Sequence, residues 1–218
     1  MVKFEIFSDP ICPWCYIAKK WLDRALEAYP EHNFNIEWKP FQLNPYMPVE
    51  GMARQDYLDK KFGSRQQAIE AYKLIVETLV KNKINIDFAA IEKTPNTLNA
   101  HRLIFWAGIE GVQTRVVSGL FNAYFRDGKD IGCHDVLVEI ASKHGLRREL
   151  IEKLLSSNED REHVKNIDTK ARQSGIKGVP MFIIDHTYAV SGAQPTQFWM
   201  EVFSEIMENQ EFVSSKTN

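Results

Sequence analysis

Apolar residues follow strand-like patterns only near the two ends of the chain. Residues 2–8 mix β-branched and aromatic side chains, and residues 34–39 alternate apolar and polar positions, so both are predicted to be strands. Residues 16–26, between them, have apolar side chains at helical spacing. Near the other end, residues 179–185 and 187–192 predict two further strands, close enough to form a hairpin, with a helix after them.

The middle of the chain has the periodicity of helices. Its apolar stripes are expected to face a core, since such periodicity mostly reports burial. The first stripe comprises Ile69, Tyr72, Ile75, Val76, Leu79 and Val80. The pattern predicts an α/β fold in which residues 1–48 and 165–218 build one sheet domain, and residues 49–164 form a large all-helical insertion.

Composition narrows the class of protein without naming a function. The chain has 218 residues, 44% of them apolar, and a net charge of −2. No basic cluster recurs along a face, and no apolar run approaches about 18 residues, so neither a nucleic-acid partner nor a membrane span is expected. The N-terminus shows no signal-peptide pattern, which predicts a cytoplasmic protein. The oligomeric state does not follow from the sequence.

Two cysteines in the segment DPICPWCY (9–16) are the strongest chemical signal. A pair at this spacing is typical of a redox centre or of half a zinc site. A structural zinc site needs four ligands, and the other candidates that lie close together, Cys133 and His134, are adjacent in sequence and poorly placed for one ion. No metal is therefore expected. The predicted strand-to-helix junction favours a redox pair over two inert buried thiols.

The predicted helix start assigns a role to each cysteine. Pro13 suits the first turn of a helix, where a missing N–H costs nothing. Free N–H groups and the positive end of the helix dipole favour an anion at Cys12, and a thiolate is such an anion. Cys12 is therefore predicted to be the attacking nucleophile. Cys15, one turn further on, is predicted to resolve the mixed disulfide.

Several segments together resemble the FrnE-like group of DsbA-type oxidoreductases in the thioredoxin superfamily. The resemblance covers nearly the whole chain, through the segments FSDPICPWCYIA (7–18), NTLNAHRLIFWA (96–107), LFNAYFRDGKDIG (120–132), GIKGVPMFII (175–184) and SGAQP (191–195). It implies a thioredoxin-like fold with a helical insertion and a cis peptide bond before Pro180. In that family the cis proline shapes a groove in which a substrate backbone pairs with the preceding residue, here Val179.

The resemblance implies a thiol–disulfide oxidoreductase, or a disulfide isomerase, that acts on protein thiols and disulfides. Its redox centre would be the Cys12–Cys15 disulfide with no other cofactor, and Pro13, Trp14, Val179 and Pro180 would contact substrate. A related alternative is a glutathione-dependent transferase or isomerase of the kappa-class or hydroxychromene-carboxylate isomerase type. Those enzymes resemble this chain but have serine at the position of Cys12. Glutathione could still be a co-substrate. A redox-sensing, peptide-binding chaperone is a further alternative.

Four other residues are assigned more weakly. Glu5 lies on the strand leading to the cysteines, where DsbA-like relatives place a buried acid, and could relay protons; a solvent-facing carboxylate is an equal alternative. His101 and Arg102 match a family motif but are expected on a solvated helix face. Cys133 has no cysteine close to it in sequence and is interpreted as a small structural residue.

Overall fold

The two ends of the chain form a four-stranded sheet, and the middle forms helices packed beside it. The computed structural model describes residues 2–31 and 34–216, with side chains as far as residue 208. The elements in chain order are β1 (Val2–Ser8), α1 (Pro13–Glu27), β2 (Phe34–Pro40), β3 (Met52–Ala53), α2 (Arg54–Phe62), α3 (Arg65–Lys81), β4 (Lys93–Thr94), α4 (Leu98–Ile109), α5 (Gln113–Phe125), α6 (His134–Lys143), α7 (Arg148–Leu155), α8 (Arg161–Gln173), β5 (Met181–Ile184), β6 (Tyr188–Ser191) and α9 (Thr196–Lys216).

The sheet has the strand order β2-β1-β5-β6. β1 and β2 are parallel, with Val2 opposite Phe34, and α1 supplies the crossover that a parallel pair requires. β5 is antiparallel to β1, with Phe4 opposite Ile184, and β5 and β6 form the predicted hairpin. The α/β fold with a helical insertion is thus confirmed, and β1 lies at the centre of the sheet, leading directly to the cysteine pair.

An aromatic cluster fixes one face of the sheet against α9. The buried ring of Phe4 lies 5.2 Å from Phe34, 5.8 Å from Phe203 and 6.3 Å from Trp199, measured between ring centroids. Aromatic pairs at these separations add stability beyond their buried area. Since α1 also packs on α9, this cluster holds β1 and α1 in a fixed relation.

The helical insertion is joined to the sheet through α1 and the edge of β2. On α1, Tyr16 stacks on Phe125 at 5.3 Å and lies 5.5 Å from Phe121, both on α5. At the edge of β2, the backbone N–H of Trp38 donates to Gln113 Oε1 at 2.8 Å, and Gln113 Nε2 donates back to the Trp38 carbonyl at 3.1 Å. The Gln113 amide thus satisfies strand groups that an edge would leave unpaired.

The prediction that the whole apolar stripe of α3 faces the core is wrong. Ile75 and Leu79 are buried, but Ile69, Val76 and Val80 are 55%, 44% and 75% exposed. The stripe is wider than the surface that neighbouring elements cover. Its outer part lines open grooves on the surface instead.

Two further features depart from the sequence-based expectations. The short antiparallel pair β3–β4 is not predicted by the apolar pattern. The expected domain boundary after residue 164 falls inside α8, so a division that keeps the helices whole would lie before Arg161. We retain the two-part division as a proposal. Within residues 2–31 and 34–216, no helix combines the length and apolar character that a membrane span requires.

Candidate active site

The junction between β1 and α1 presents Cys12 at a helix N-terminus. Cys12 is the N-cap residue of α1, with extended backbone angles of φ −86° and ψ 115°, and Pro13 is the first helical residue. The Cys12 N–H donates to the Asp9 carbonyl at 2.9 Å, and the Cys12 carbonyl accepts from the Tyr16 N–H at 3.1 Å. The turn therefore holds Cys12 where the first N–H groups of the helix are free of intrahelical partners.

The two thiols differ in burial and in their chemical surroundings. Both are free thiols, and their residues are 4% (Cys12) and 1% (Cys15) exposed. Burial and the contact with Cys12 raise the pKa of the Cys15 thiol well above its usual value, although the Ser8 hydroxyl and the Asp9 backbone N–H partly oppose the rise. Cys15 is therefore held as a neutral thiol behind Cys12.

The loop before β5 completes the surroundings of Cys12. The Val179–Pro180 peptide bond is cis. Cys12 Sγ donates to the Val179 carbonyl oxygen at 3.7 Å, and the Pro180 carbonyl accepts from the Gly192 N–H at 2.9 Å. Pro180 is buried, whereas Val179, Pro13 and Trp14 are half-buried. The structure thus brings Val179 against Cys12, and the substrate-binding roles of these four residues stay predictions.

The structure places Glu5 away from the cysteines, and the proton-relay prediction has no support in its contacts. Side chains alternate along β1, so Glu5 points to the face opposite Ser8. Its carboxylate forms ion pairs with Lys3 at 3.3 Å, Lys39 at 3.5 Å and His186 Nδ1 at 2.9 Å. The equal alternative, a carboxylate outside the core, describes it better.

The acid behind the cysteines is instead Asp9, which the sequence analysis did not single out. Asp9 is fully buried, and this burial raises its pKa to about 7 despite hydrogen bonds from the Leu43 and Ile11 N–H groups. Those bonds measure 2.6 Å and 3.3 Å. A polar residue directly after a buried strand and three positions before the first cysteine was the available signal.

His101 and Arg102 are buried, so the prediction of a solvated helix face is wrong for both. Burial lowers the pKa of His101 to about 3, and its Nε2 lies 3.8 Å from Asp9 Oδ1. Arg102 donates to the carbonyl oxygens of Leu154, Ser157 and Glu159. α4 is apolar on nearly every side, which is typical of a fully buried helix and is the signal that was missed.

A groove beside the cysteines contains a further cation that sequence analysis missed. Its volume is about 380 Å³, and its lining comes from the loop after β2 and from α2, including Asn44, Met47, Tyr57 and Lys61. Lys61 Nζ donates to Tyr57 Oη at 2.9 Å. Desolvation lowers the pKa of Lys61, but the bond to Tyr57 and Coulombic attractions, one of them to Cys12, outweigh it and raise the pKa.

Cys133 lies apart from this site. It is exposed and is the N-cap residue of α6, with no hydrogen bond from its side chain to the helix. The interpretation of Cys133 as a structural residue therefore has no support in burial or contacts.

Comparison with known proteins gives consistent matches over nearly the full chain. A family model described as a DSBA-like thioredoxin domain matches residues 3–204. The protein YwbO of Bacillus subtilis is 26% identical over 197 residues, which cover 85% of this chain and 88% of that protein. The crystal structure of a probable DsbA oxidoreductase from Streptomyces coelicolor has a TM-score of 0.82 and 26% identity, and the match covers 94% of this chain and 89% of that one.

A more distant structure shares the fold. The cytosolic disulfide reductase DsbM from Pseudomonas aeruginosa, solved with GSH, has a TM-score of 0.69 and 14% identity, covering 94% of this chain and 99% of that one. At this identity the likeness concerns the fold alone. The family model, in contrast, spans most of the sequence, from β1 through α9, including both cysteines and Pro180. The chain therefore belongs to the family of DSBA-like thioredoxin domains.

Proposed function

We propose that the protein is a thiol–disulfide oxidoreductase that exchanges disulfides with protein thiols through Cys12 and Cys15. The observation that carries the proposal is the contrast between two touching thiols. Cys12 lies at the N-terminus of α1, whereas Cys15 is more deeply buried, with a pKa raised by that burial. A nucleophile that can ionise and a partner that stays protonated are the two groups that exchange requires.

In the oxidising direction, the reaction starts from the Cys12–Cys15 disulfide. A substrate thiolate attacks Cys12 Sγ, the bond to Cys15 Sγ breaks, and Cys15 leaves as a thiolate that takes up a proton. A second substrate thiolate then attacks the substrate sulfur of the mixed disulfide, and Cys12 leaves as a thiolate. Two electrons pass from the substrate to the two cysteines, and the reverse sequence reduces a substrate disulfide.

Helix α1 stabilises the leaving group of the second step. The free N–H groups of its first turn lie beside Cys12 and favour the thiolate over the thiol. The Val179 carbonyl, 3.7 Å from Cys12 Sγ, accepts a hydrogen bond from the protonated form only. Charge on Cys12 would therefore be stabilised mainly by the helix and by the cation of Lys61.

Glutathione is a second candidate as co-substrate, and Lys61 is the observation in its favour. Lys61 places a positive charge within Coulombic range of Cys12, in a groove that a small carboxylate-bearing thiol could enter. The structurally similar DsbM was solved with GSH. The presence of Cys12 where the kappa-class and isomerase enzymes have serine favours glutathione as a redox partner rather than as a group to be transferred.

Insulin reduction and glutathione conjugation, measured side by side, test the proposal. Wild-type protein should catalyse insulin reduction by dithiothreitol, and Cys12→Ser should reduce the rate to background, with Cys133→Ser as the matched control. Conjugation of glutathione to chlorodinitrobenzene that survives Cys12→Ser, together with no insulin reduction by the wild type, would favour a transferase. The direction of exchange in a cell follows from the compartment; a cytoplasmic location stays a proposal.

A further inference from the structure

A buried acid and a buried imidazole lie together behind the cysteine pair. The Asp9 and His101 residues are 0% and 2% exposed, and His101 Nε2 is 3.8 Å from Asp9 Oδ1. Within the part of the chain that the structure describes, His101 Nε2 has no hydrogen-bond partner. A buried polar atom without a partner is costly, so its position beside a carboxyl group calls for a physical account.

Asp9 is connected to both cysteines and to the insertion. Its carbonyl accepts from the Cys12 N–H at 2.9 Å, and its own N–H interacts with the Cys15 thiol. Its carboxyl accepts from the Leu43 N–H at 2.6 Å and from Thr97 Oγ1 at 3.5 Å. Any change in the charge of this carboxyl is therefore felt at the turn that holds the cysteines.

Burial moves the two groups in opposite directions along the pH scale. It raises the pKa of Asp9 from 3.8 to about 7 and lowers that of His101 from 6.5 to about 3. Between about pH 4 and 6.5 the unfolded chain carries one proton on this pair, on His101. The folded chain also carries one, on Asp9, so folding changes which group holds the proton but not the number bound.

Other charged groups around the pair modulate this balance. Asp168 on α8 adds a like charge that raises the pKa of Asp9 further. Asp168 itself is paired with Arg172 at 3.1 Å, and its Oδ1 accepts from the Gln42 N–H at 3.3 Å. The thiols of Cys12 and Cys15 complete the titratable groups that contact Asp9 in the structure.

We propose that Asp9 and His101 hold one proton between them behind the cysteine pair, and that the pair takes up the proton that Cys15 releases during exchange. The second half rests on the proposed function. In that step the Cys15 S–H bond breaks and its proton passes to the pair when Asp9 is ionised. Cys15 Sγ forms a bond to Cys12 Sγ, and the bond from Cys12 to the substrate sulfur breaks, with the electron pair leaving on the substrate thiolate.

Equilibrium unfolding from pH 4 to 7 tests the shared proton without any exchange chemistry. Asp9→Asn leaves only His101, whose lowered pKa makes the unfolded chain bind more protons. The unfolding constant of this variant, relative to wild type, should fall about tenfold per pH unit up to pH 6.5. His101→Gln leaves only Asp9, whose raised pKa reverses the sign, so its relative unfolding constant should rise about tenfold per pH unit up to about pH 7.

Slopes of opposite sign support the pair, since a purely structural contribution would lower stability by the same amount at every pH. Parallel curves for the two variants would overturn the first half of the proposal. Carbon-13 NMR of the Asp9 carboxyl in wild-type protein gives an independent result if Asp9→Asn does not fold. Titration near pH 7 is expected, and titration near pH 4 would contradict the proposal.

Reaction of the reduced protein with dithiobis(nitrobenzoate) tests the proton transfer. Cys12 attacks and releases one thionitrobenzoate; Cys15 then resolves the mixed disulfide and releases a second. The rate of the second release should rise through pH 7 in the wild type. In Asp9→Asn it should be about tenfold slower or more at pH 8 and lose that inflection, while the first release changes little.

Asp168→Asn is the matched control for this measurement. It removes a buried carboxylate from the same network but leaves Asp9 in place, so the inflection should persist and move to lower pH. An unchanged second phase in Asp9→Asn, or equal slowing of both phases, would overturn the proton-transfer role. If wild-type protein releases only one thionitrobenzoate, the proposed function fails, while the unfolding measurement still decides whether the proton is shared.

Discussion

Two helices in this protein begin at a cysteine, and only one of those cysteines has the surroundings of a redox site. Cys12 caps α1 with φ −86° and ψ 115°, and Cys133 caps α6 with φ −75° and ψ 129°, so their backbones are nearly alike. Neither side chain donates or accepts a cap hydrogen bond. Cys12 is buried against Cys15 and the Val179 carbonyl, whereas Cys133 is exposed.

The comparison shows that a helix N-terminus does not by itself make an exchange centre. Both cysteines have free N–H groups beside them. What Cys12 has in addition is a second thiol one turn away and a loop from the far end of the chain that closes over it. The central claim is therefore that exchange requires the Cys12–Cys15 pair and not the helix terminus alone.

Removing each capping cysteine should give the largest difference. Cys12→Ser is expected to reduce insulin reduction to the uncatalysed rate, since a hydroxyl does not form a disulfide. Cys133→Ser should leave the rate within about twofold of wild type. Comparable losses in the two variants would contradict the distinction between the two helix termini.

Removing the second thiol should convert Cys12 into a trap. With Cys15→Ala, attack by Cys12 still forms a mixed disulfide, but intramolecular resolution is lost. Reaction with oxidised glutathione should therefore accumulate protein with one glutathione bound at Cys12, seen by intact-mass spectrometry and peptide mapping. Wild-type protein under the same conditions should show mainly the internal disulfide; equal adduct levels in both would show that Cys15 does not resolve.

Alkylation across pH 5 to 9 should sharpen the comparison by separating all three thiols. Burial raises the pKa of Cys15, so its thiolate appears only at high pH and iodoacetamide should label it last. Helix N–H groups favour the thiolate of Cys12, which should react first in mildly acidic solution. Peptide mapping gives each rate, and labelling of Cys15 before Cys12 would reverse their assigned roles.

A smaller effect is expected from the charge of Lys61. Lys61→Met should slow reaction of the Cys12–Cys15 disulfide with glutathione by about two- to fivefold, since the cation is exposed to solvent and salt screens it. Cysteamine has no carboxylate and should be little affected. Lys60→Met, on the same groove, is the matched control; equal losses with both thiols would exclude recognition of a carboxylate by Lys61.

The sequence was sufficient for features that depend on local pattern. The alternation in β1 and β2, the helix after Pro13 and the late hairpin all follow from side-chain periodicity and turn residues, and the structure contains each of them. The spacing of Cys12 and Cys15 identified the pair because one helical turn brings such residues together.

The features that the sequence did not predict depend on which other element covers a residue. Asp9 and His101 are 88 and more residues apart in their contacts across the insertion, so no local pattern pairs them. Arg102 is buried because carbonyl oxygens at the end of α7 receive its guanidinium. Ile69 and Val80 fit a core stripe but are exposed because no described element packs over them.

The most direct test of the central claim is a redox titration of the reduced protein in glutathione buffers, with acid quenching and mass spectrometric mapping of every cysteine. We expect one two-electron transition in which an intramolecular Cys12–Cys15 disulfide forms, with the ratio of oxidised to reduced protein changing tenfold per about 30 mV, while Cys133 remains outside that disulfide. An internal disulfide that includes Cys133, or no Cys12–Cys15 disulfide at any glutathione ratio, would contradict the account.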